Sequence, residues 1–185
     1  TIMKQKTGQI LGFIVGVALA IGLDQWTKYL AVAGLKGKDA YVIWDGVFEL
    51  QYLENRGAAF GMMQGKQFFF FVVAAVVIIA AAWLLWRMPV SKRYLPLLVC
   101  LCLVVAGAIG NMIDRVSLGY VVDFLYFKLI DFPIFNVADC YVTVATAAAA
   151  VLIMFSYKEE ELAVFARKGG KGRKPEEKTD GEEEQ

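Results

Sequence analysis

Four apolar stretches, at residues 9–33, 68–86, 95–113 and 138–157, constrain this chain more than any other feature. An α-helix rises 1.5 Å per residue, so roughly 20 apolar residues cover the ~30 Å hydrocarbon core of a bilayer. The second and third stretches contain no charged residue at all. Hydrophobic residues make up 58% of the 185, with a mean hydropathy of +0.54. That exceeds what a soluble domain of this length carries. The expectation is an all-α membrane protein, a four-transmembrane-helix bundle.

Basic residues flank these stretches unevenly. Lys4 and Lys6 precede the first, Arg87, Lys92 and Arg93 fill the link between the second and third, and Lys158, Arg167, Lys168, Lys171, Arg173, Lys174 and Lys178 follow the fourth. By the positive-inside rule these regions are cytoplasmic, so both termini are expected inside and the connections 34–67 and 114–137 outside. Residues 1–166 then form one membrane domain. Residues 167–185, almost all charge and glycine, are expected to be a disordered cytoplasmic tail. This tail makes the net charge of +1 uninformative about the body.

The first outer connection carries Tyr41-Val42-Ile43-Trp44 and Val47-Phe48-Glu49-Leu50-Gln51-Tyr52-Leu53 around Asp45-Gly46. β-Branched and aromatic residues about an Asp-Gly pair predict a hairpin, hence a small extracytoplasmic β-sheet, or cradle, on the membrane surface. Small residues at Ala106, Gly107, Ala108 and Gly110 predict close helix packing in lipid. Lys158 to Arg167 are read as a continuation of the fourth helix onto the inner surface.

The chain has no histidine and three cysteines, Cys100, Cys102 and Cys140, all within or beside apolar stretches. An odd number so placed argues against a disulfide framework and for small apolar fillers. Lack of histidine excludes Ser-His and Cys-His nucleophiles and His-ligated zinc. Acid–base work falls to carboxylates, Lys or Tyr.

Two carboxylates stand out, Asp123 in Val121-Val122-Asp123-Phe124 and Asp139 in Phe135-Asn136-Val137-Ala138-Asp139. An acid beside hydrocarbon is costly and is a functional-site candidate by default. Two that approach each other cannot both ionise easily, and the mixed pair offers one base and one acid for activating water. Asn111 and Asp114 are three residues apart, as are Asn136 and Asp139, which on a helix would set each amide beside its acid. Asp24 and Lys28 are four apart and can pair. The residues alone leave a second reading open, in which the acids pair with basic groups purely for structure.

The blocks Asp24-Gln25-Trp26-Thr27-Lys28, Asn55-Arg56-Gly57-Ala58-Ala59-Phe60-Gly61, Gly110-Asn111-Met112-Ile113-Asp114-Arg115, Val121-Val122-Asp123-Phe124 and Phe135-Asn136-Val137-Ala138-Asp139 occur in this order. In order and spacing they resemble those of lipoprotein signal peptidase, also called signal peptidase II, of aspartyl peptidase family A8. The resemblance runs from about Asp24 to Tyr157; Gly61 stands where serine is frequent, and the tail lies outside it. It implies a multi-pass peptidase of the bacterial cytoplasmic (inner) membrane, active near the extracytoplasmic surface and targeted by the cyclic peptide globomycin. Its substrates would be diacylglyceryl-modified prolipoproteins, cut before the lipid-bearing cysteine. It further implies that Asp123 and Asp139 form the catalytic dyad, while Asp24, Asn55, Asn111, Asp114, Arg115 and Asn136 support the site or hold substrate. No metal and no cofactor are expected, nor is nucleic acid; membrane lipids and substrate are the expected partners, and the protein is expected to be monomeric.

Three roles need weighing against plainer ones. Arg115 presents several fixed donors that could clamp substrate carbonyls, or it pairs with Asp114 or reaches to headgroups; the resemblance favours the clamp. Asn55 offers its amide to a peptide backbone or closes a turn before Gly57. Asp24 with Lys28, and Asp114 beside Arg115, read as structural. The phenylalanines 68–71 with Trp44, Phe48 and Tyr52 read as an acyl-chain or interface surface. A proton-coupled transporter would set acids near the bilayer midplane, whereas these gather at one end; a noncatalytic scaffold would not need so many polar residues there.

Overall fold

The computed structural model describes residues 2–57 and 67–166. The segment Ala58-Ala59-Phe60-Gly61 and the tail at 167–185 lie outside the described residues. In chain order the elements are α1 (Ile2–Leu35), β1 (Tyr41–Trp44), β2 (Phe48–Asn55), α2 (Gln67–Arg87), α3 (Leu95–Ser117), β3 (Val121–Tyr126), α4 (Val137–Phe155) and α5 (Glu159–Ala166). Four helical segments, Met3–Leu35, Gln67–Arg87, Lys92–Ser117 and Val137–Phe155, are long and apolar enough to cross a membrane.

Helix α3 is the centre of the bundle, with α1, α2 and α4 each packed against it. Glycines on α3 permit this. A Cβ on Gly107 would lie 2.5 Å from the Ala138 carbonyl oxygen, and one on Gly110 would lie 2.6 Å from Asp24 Oδ2. These two positions let the N-terminus of α4 and the carboxylate of Asp24 reach the α3 backbone. Outward side chains such as Leu19, Ile79 and Val151 are exposed and apolar, as a lipid-facing surface requires.

The predicted hairpin forms, with Val47 N–H donating to the Trp44 carbonyl at 3.0 Å and Gly46 at φ +69°. β-Sheet order is β1-β2-β3, all antiparallel, with Leu53 opposite Asp123 and Asn55 opposite Val121. Strand β3 was not anticipated. Val121 to Phe124 are all buried, so the segment lacks the polar–apolar alternation that marks a strand in sequence. Val122 and Phe124 pack with Ala31 of α1, which ties the sheet to the end of that helix.

Two expectations need correction. Helix α3 runs to Ser117, so Asp114 and Arg115 are helical and do not belong to the connection that follows it. Helix α1, Ile2–Leu35, contains the apolar stretch 9–33. α5 is a separate helix and not a continuation of α4: the chain breaks at Ser156 and Tyr157, where Tyr157 stacks on Tyr94 and donates to the Arg93 carbonyl at 2.6 Å. Arg93 seals this corner, pairing with Glu161 at 2.8 Å and donating to the Ser156 carbonyl. All three cysteines are free thiols.

Candidate active site

Asn136 is the N-cap of α4. Its Oδ1 accepts the Asp139 N–H at 3.0 Å, and Asp139 Oδ2 accepts the Asn136 N–H at 3.1 Å, a reciprocal capping box that fixes the Asp139 carboxylate. The amide of Asn136 then donates to Asp123 Oδ1 at 2.6 Å. One fully buried asparagine therefore touches both acids. Asn55, at the end of β2, donates to the other oxygen of Asp123 at 2.8 Å, and Asn111 of α3 donates to Asp139 Oδ1 at 2.8 Å.

Both carboxylates line a cavity of about 500 Å³ with Asn55, Gly57, Asn111 and Arg115, roofed by Phe132, Pro133, Ile134 and Phe135. Asp123 is pushed up from 3.8 to about 7, first by burial and then by the charge of Asp139, against the pull of the Asn55 and Asn136 amides and of Lys28. A pair so placed retains a proton into the neutral range.

A second layer of charge lies behind the pair. Lys28 Nζ meets Asp24 Oδ2 at 2.9 Å, Asp114 Oδ2 at 3.0 Å and Asn111 Oδ1 at 3.0 Å. All three charged side chains are nearly inaccessible. Asp24 Oδ1 accepts the Ala138 N–H at 2.9 Å and Asp114 Oδ2 accepts the Val122 N–H at 3.0 Å. Each of these backbone groups belongs to the residue immediately before Asp139 or Asp123. The expected Asp24–Lys28 pair is present, whereas Asp114 turns to Lys28 and not to its neighbour Arg115.

Asn111 and Asp114 do not act as partners, despite their spacing. Both meet Lys28 of α1, and the Asn111 amide goes on to Asp139 of α4. Arg115 donates to the Asn111 and Gly57 carbonyls at 3.2 and 3.4 Å, with its guanidinium 4.3 Å from the centre of the Phe70 ring. This stack holds its plane at the cavity wall. Asn55 closes the turn too, its Oδ1 accepting the Gly57 N–H at 3.0 Å, and its amide donates to Asp123. Gln25 escaped the sequence reading; it bridges Asp114 Oδ1 at 2.9 Å and the Gly110 carbonyl at 3.2 Å. Its place directly after Asp24 was the available signal. Among the described residues no cluster of acids and cysteines has a geometry for holding a metal ion.

The family described as signal peptidase (SPase) II matches residues 16–156. The lipoprotein signal peptidase of Streptococcus thermophilus (strain CNRZ 1066) is 44% identical over 146 residues, 79% of this chain and 92% of its own. That of Caldanaerobacter subterraneus subsp. tengcongensis is 46% identical over 143 residues, 77% of this chain and 95% of its own. A bacterial membrane enzyme solved by the in meso method at 2.3 Å resolution superposes with a TM-score of 0.70 at 31% identity, over 81% of this chain and 93% of that one.

Proposed function

The chain belongs to the signal peptidase II family, and from that premise we propose that it is an intramembrane aspartyl endopeptidase acting on diacylglyceryl-modified prolipoproteins. It removes the signal peptide by cutting before the lipidated cysteine. Asp123 and Asp139 are the catalytic pair, sharing one proton. The ionised member takes a proton from a water between them as the water oxygen bonds to the scissile carbonyl carbon. The protonated member donates to the carbonyl oxygen. As the tetrahedral diol collapses and the C–N bond breaks, the acid that took the water proton gives it to the leaving nitrogen, and the other carboxylate takes a proton from a diol hydroxyl, which restores the singly protonated pair. The products are a carboxylate on the signal peptide and a free amine on the cysteine.

The observation that carries this reading is Asn136, which touches both acids at 2.6 and 3.1 Å and orients them toward one cavity. Arg115 clamps substrate carbonyls. Asn55, Asn111 and Asn136 hold the carboxylates, and Asp24, Lys28 and Asp114 anchor the elements that carry them. The basic flanks put both termini in the cytoplasm and the site near the outer face of the cytoplasmic membrane, with 1–166 acting as a single monomeric domain.

The test is incubation of purified protein with a lipid-modified prolipoprotein. Asp123→Asn and Asp139→Asn are each expected to fold and to lose cleavage. Persistent cleavage by either variant removes that residue from the pair.

A further inference from the structure

A second cavity, of about 280 Å³, opens on Asp139 between α2, α3 and α4. It shares Asn111, Arg115, Asp139 and Thr143 with the larger cavity, so the two meet at Asp139. Their chemistry differs. Beyond the shared residues the smaller cavity is walled by Phe70, Val73 and Val77 of α2, Val104 and Ala108 of α3 and Val142 of α4. The larger one adds Asn55, Gly57 and Asp123 under its apolar roof of Phe132 to Phe135.

A peptide main chain at membrane depth needs partners for each N–H and C=O. Asn55 and Asp123 lie on the larger cavity alone, whereas every residue the smaller one adds beyond the shared rim is apolar. A signal helix, about 10 Å across, is also too wide for that space. A hydrocarbon chain needs no partners, and at interior packing density the volume accepts roughly ten methylenes. Among the described residues α2 and α4 both pack on α3 and make no comparable contact with each other, and Val73 is 43% exposed. The cleft is thus open toward lipid.

We propose that the α2–α3–α4 cleft receives one acyl chain of the diacylglyceryl cysteine while the larger cavity holds the peptide backbone. This rests on the peptidase reading above, in which the lipidated cysteine adjoins the scissile bond and the acyl chain therefore starts at the shared rim.

The experiment compares two otherwise identical lipidated peptides, one with sixteen-carbon and one with four-carbon acyl chains. The native protein is expected to cleave the long-chain peptide with kcat/KM higher by at least about tenfold. Val77→Phe fills the cleft and is expected to abolish that ratio, whereas Ile79→Phe, lipid-facing on the same helix, keeps it. A native protein indifferent to chain length, an unchanged ratio in Val77→Phe, or a ratio lost equally in Ile79→Phe overturns the assignment. A photoreactive group in the long acyl chain, used with native protein, is expected to label Val73, Val77 or Val104. Labelling confined to other helix faces overturns it without reliance on a variant. Failure of the native protein to cleave either peptide defeats the peptidase reading instead.

Discussion

Asp24 accepts the backbone N–H of Ala138 at 2.9 Å, and Ala138 immediately precedes Asp139. Asp114 does the same for Val122, which immediately precedes Asp123. Lys28 joins the two carboxylates, at 2.9 and 3.0 Å. The backbones beneath both acids of the proposed dyad are therefore tethered to one buried ion cluster, which sets how far apart those acids stand.

Lys28→Met leaves two buried carboxylates without their cation. Breaking a buried pair this way typically costs about 3–5 kcal/mol. Denaturation in detergent micelles should show a loss of that size, together with loss of cleavage. An unchanged midpoint would mean that the cluster holds nothing in place.

Asn136→Ala removes an N-cap, worth about 1 kcal/mol, and frees both acids from their common partner. The expected result is a modest fall in thermal stability with a fall in kcat of roughly a hundredfold or more. Asn136→Ser separates the two effects, since it keeps a capping oxygen but loses the amide that donates to Asp123. Near-native stability with little activity is expected; full activity in Asn136→Ser would refute the orienting role.

The pH profile follows from Asp123. The proposed mechanism needs one proton on the pair, and the folded state holds the Asp123 carboxyl up at about 7. As pH rises through that value the second carboxyl ionises, so kcat/KM should fall on the alkaline side by about tenfold per pH unit. Stability has the same sign. Because the folded value lies above the ordinary 3.8, this group's contribution is full below about 4 and is lost as pH climbs through about 7. Asp123→Asn should flatten that pH dependence of unfolding. A flat rate profile from pH 6 to 9 would contradict the assignment.

Gly110→Ala puts a methyl group 2.6 Å from the Asp24 carboxylate, where something must shift. Overpacking of this kind costs about 1–3 kcal/mol. Because Asp24 anchors Ala138, reduced cleavage should accompany the lower melting temperature. Gly12→Ala is the comparison, since the methyl group it adds meets nothing within 4 Å; it should change neither.

The bundle was readable because hydrocarbon imposes its demand on local sequence. Roughly 20 uninterrupted apolar residues have few alternatives, and Asp45-Gly46 between aromatic and β-branched runs has few as a turn. Strand β3 was not readable, since a run buried on both faces looks the same in a strand as in a short helical segment. Partners chosen across the bundle were equally hidden. The spacing of Asn111 and Asp114 pointed to each other, yet both meet Lys28 of α1 and the Asn111 amide donates to Asp139 of α4.

The chain alone therefore determined which segments enter lipid, which residues carry titratable groups there, and that no histidine chemistry is available, because those properties depend on residue type and run length. Only the tertiary structure decided that Asn136 bridges Asp123 and Asp139, that Lys28 sits between Asp24 and Asp114, and that two cavities meet at Asp139. Such pairings arise when buried polar groups must find partners, and in a low-dielectric interior the partner is whichever group the packing brings within reach.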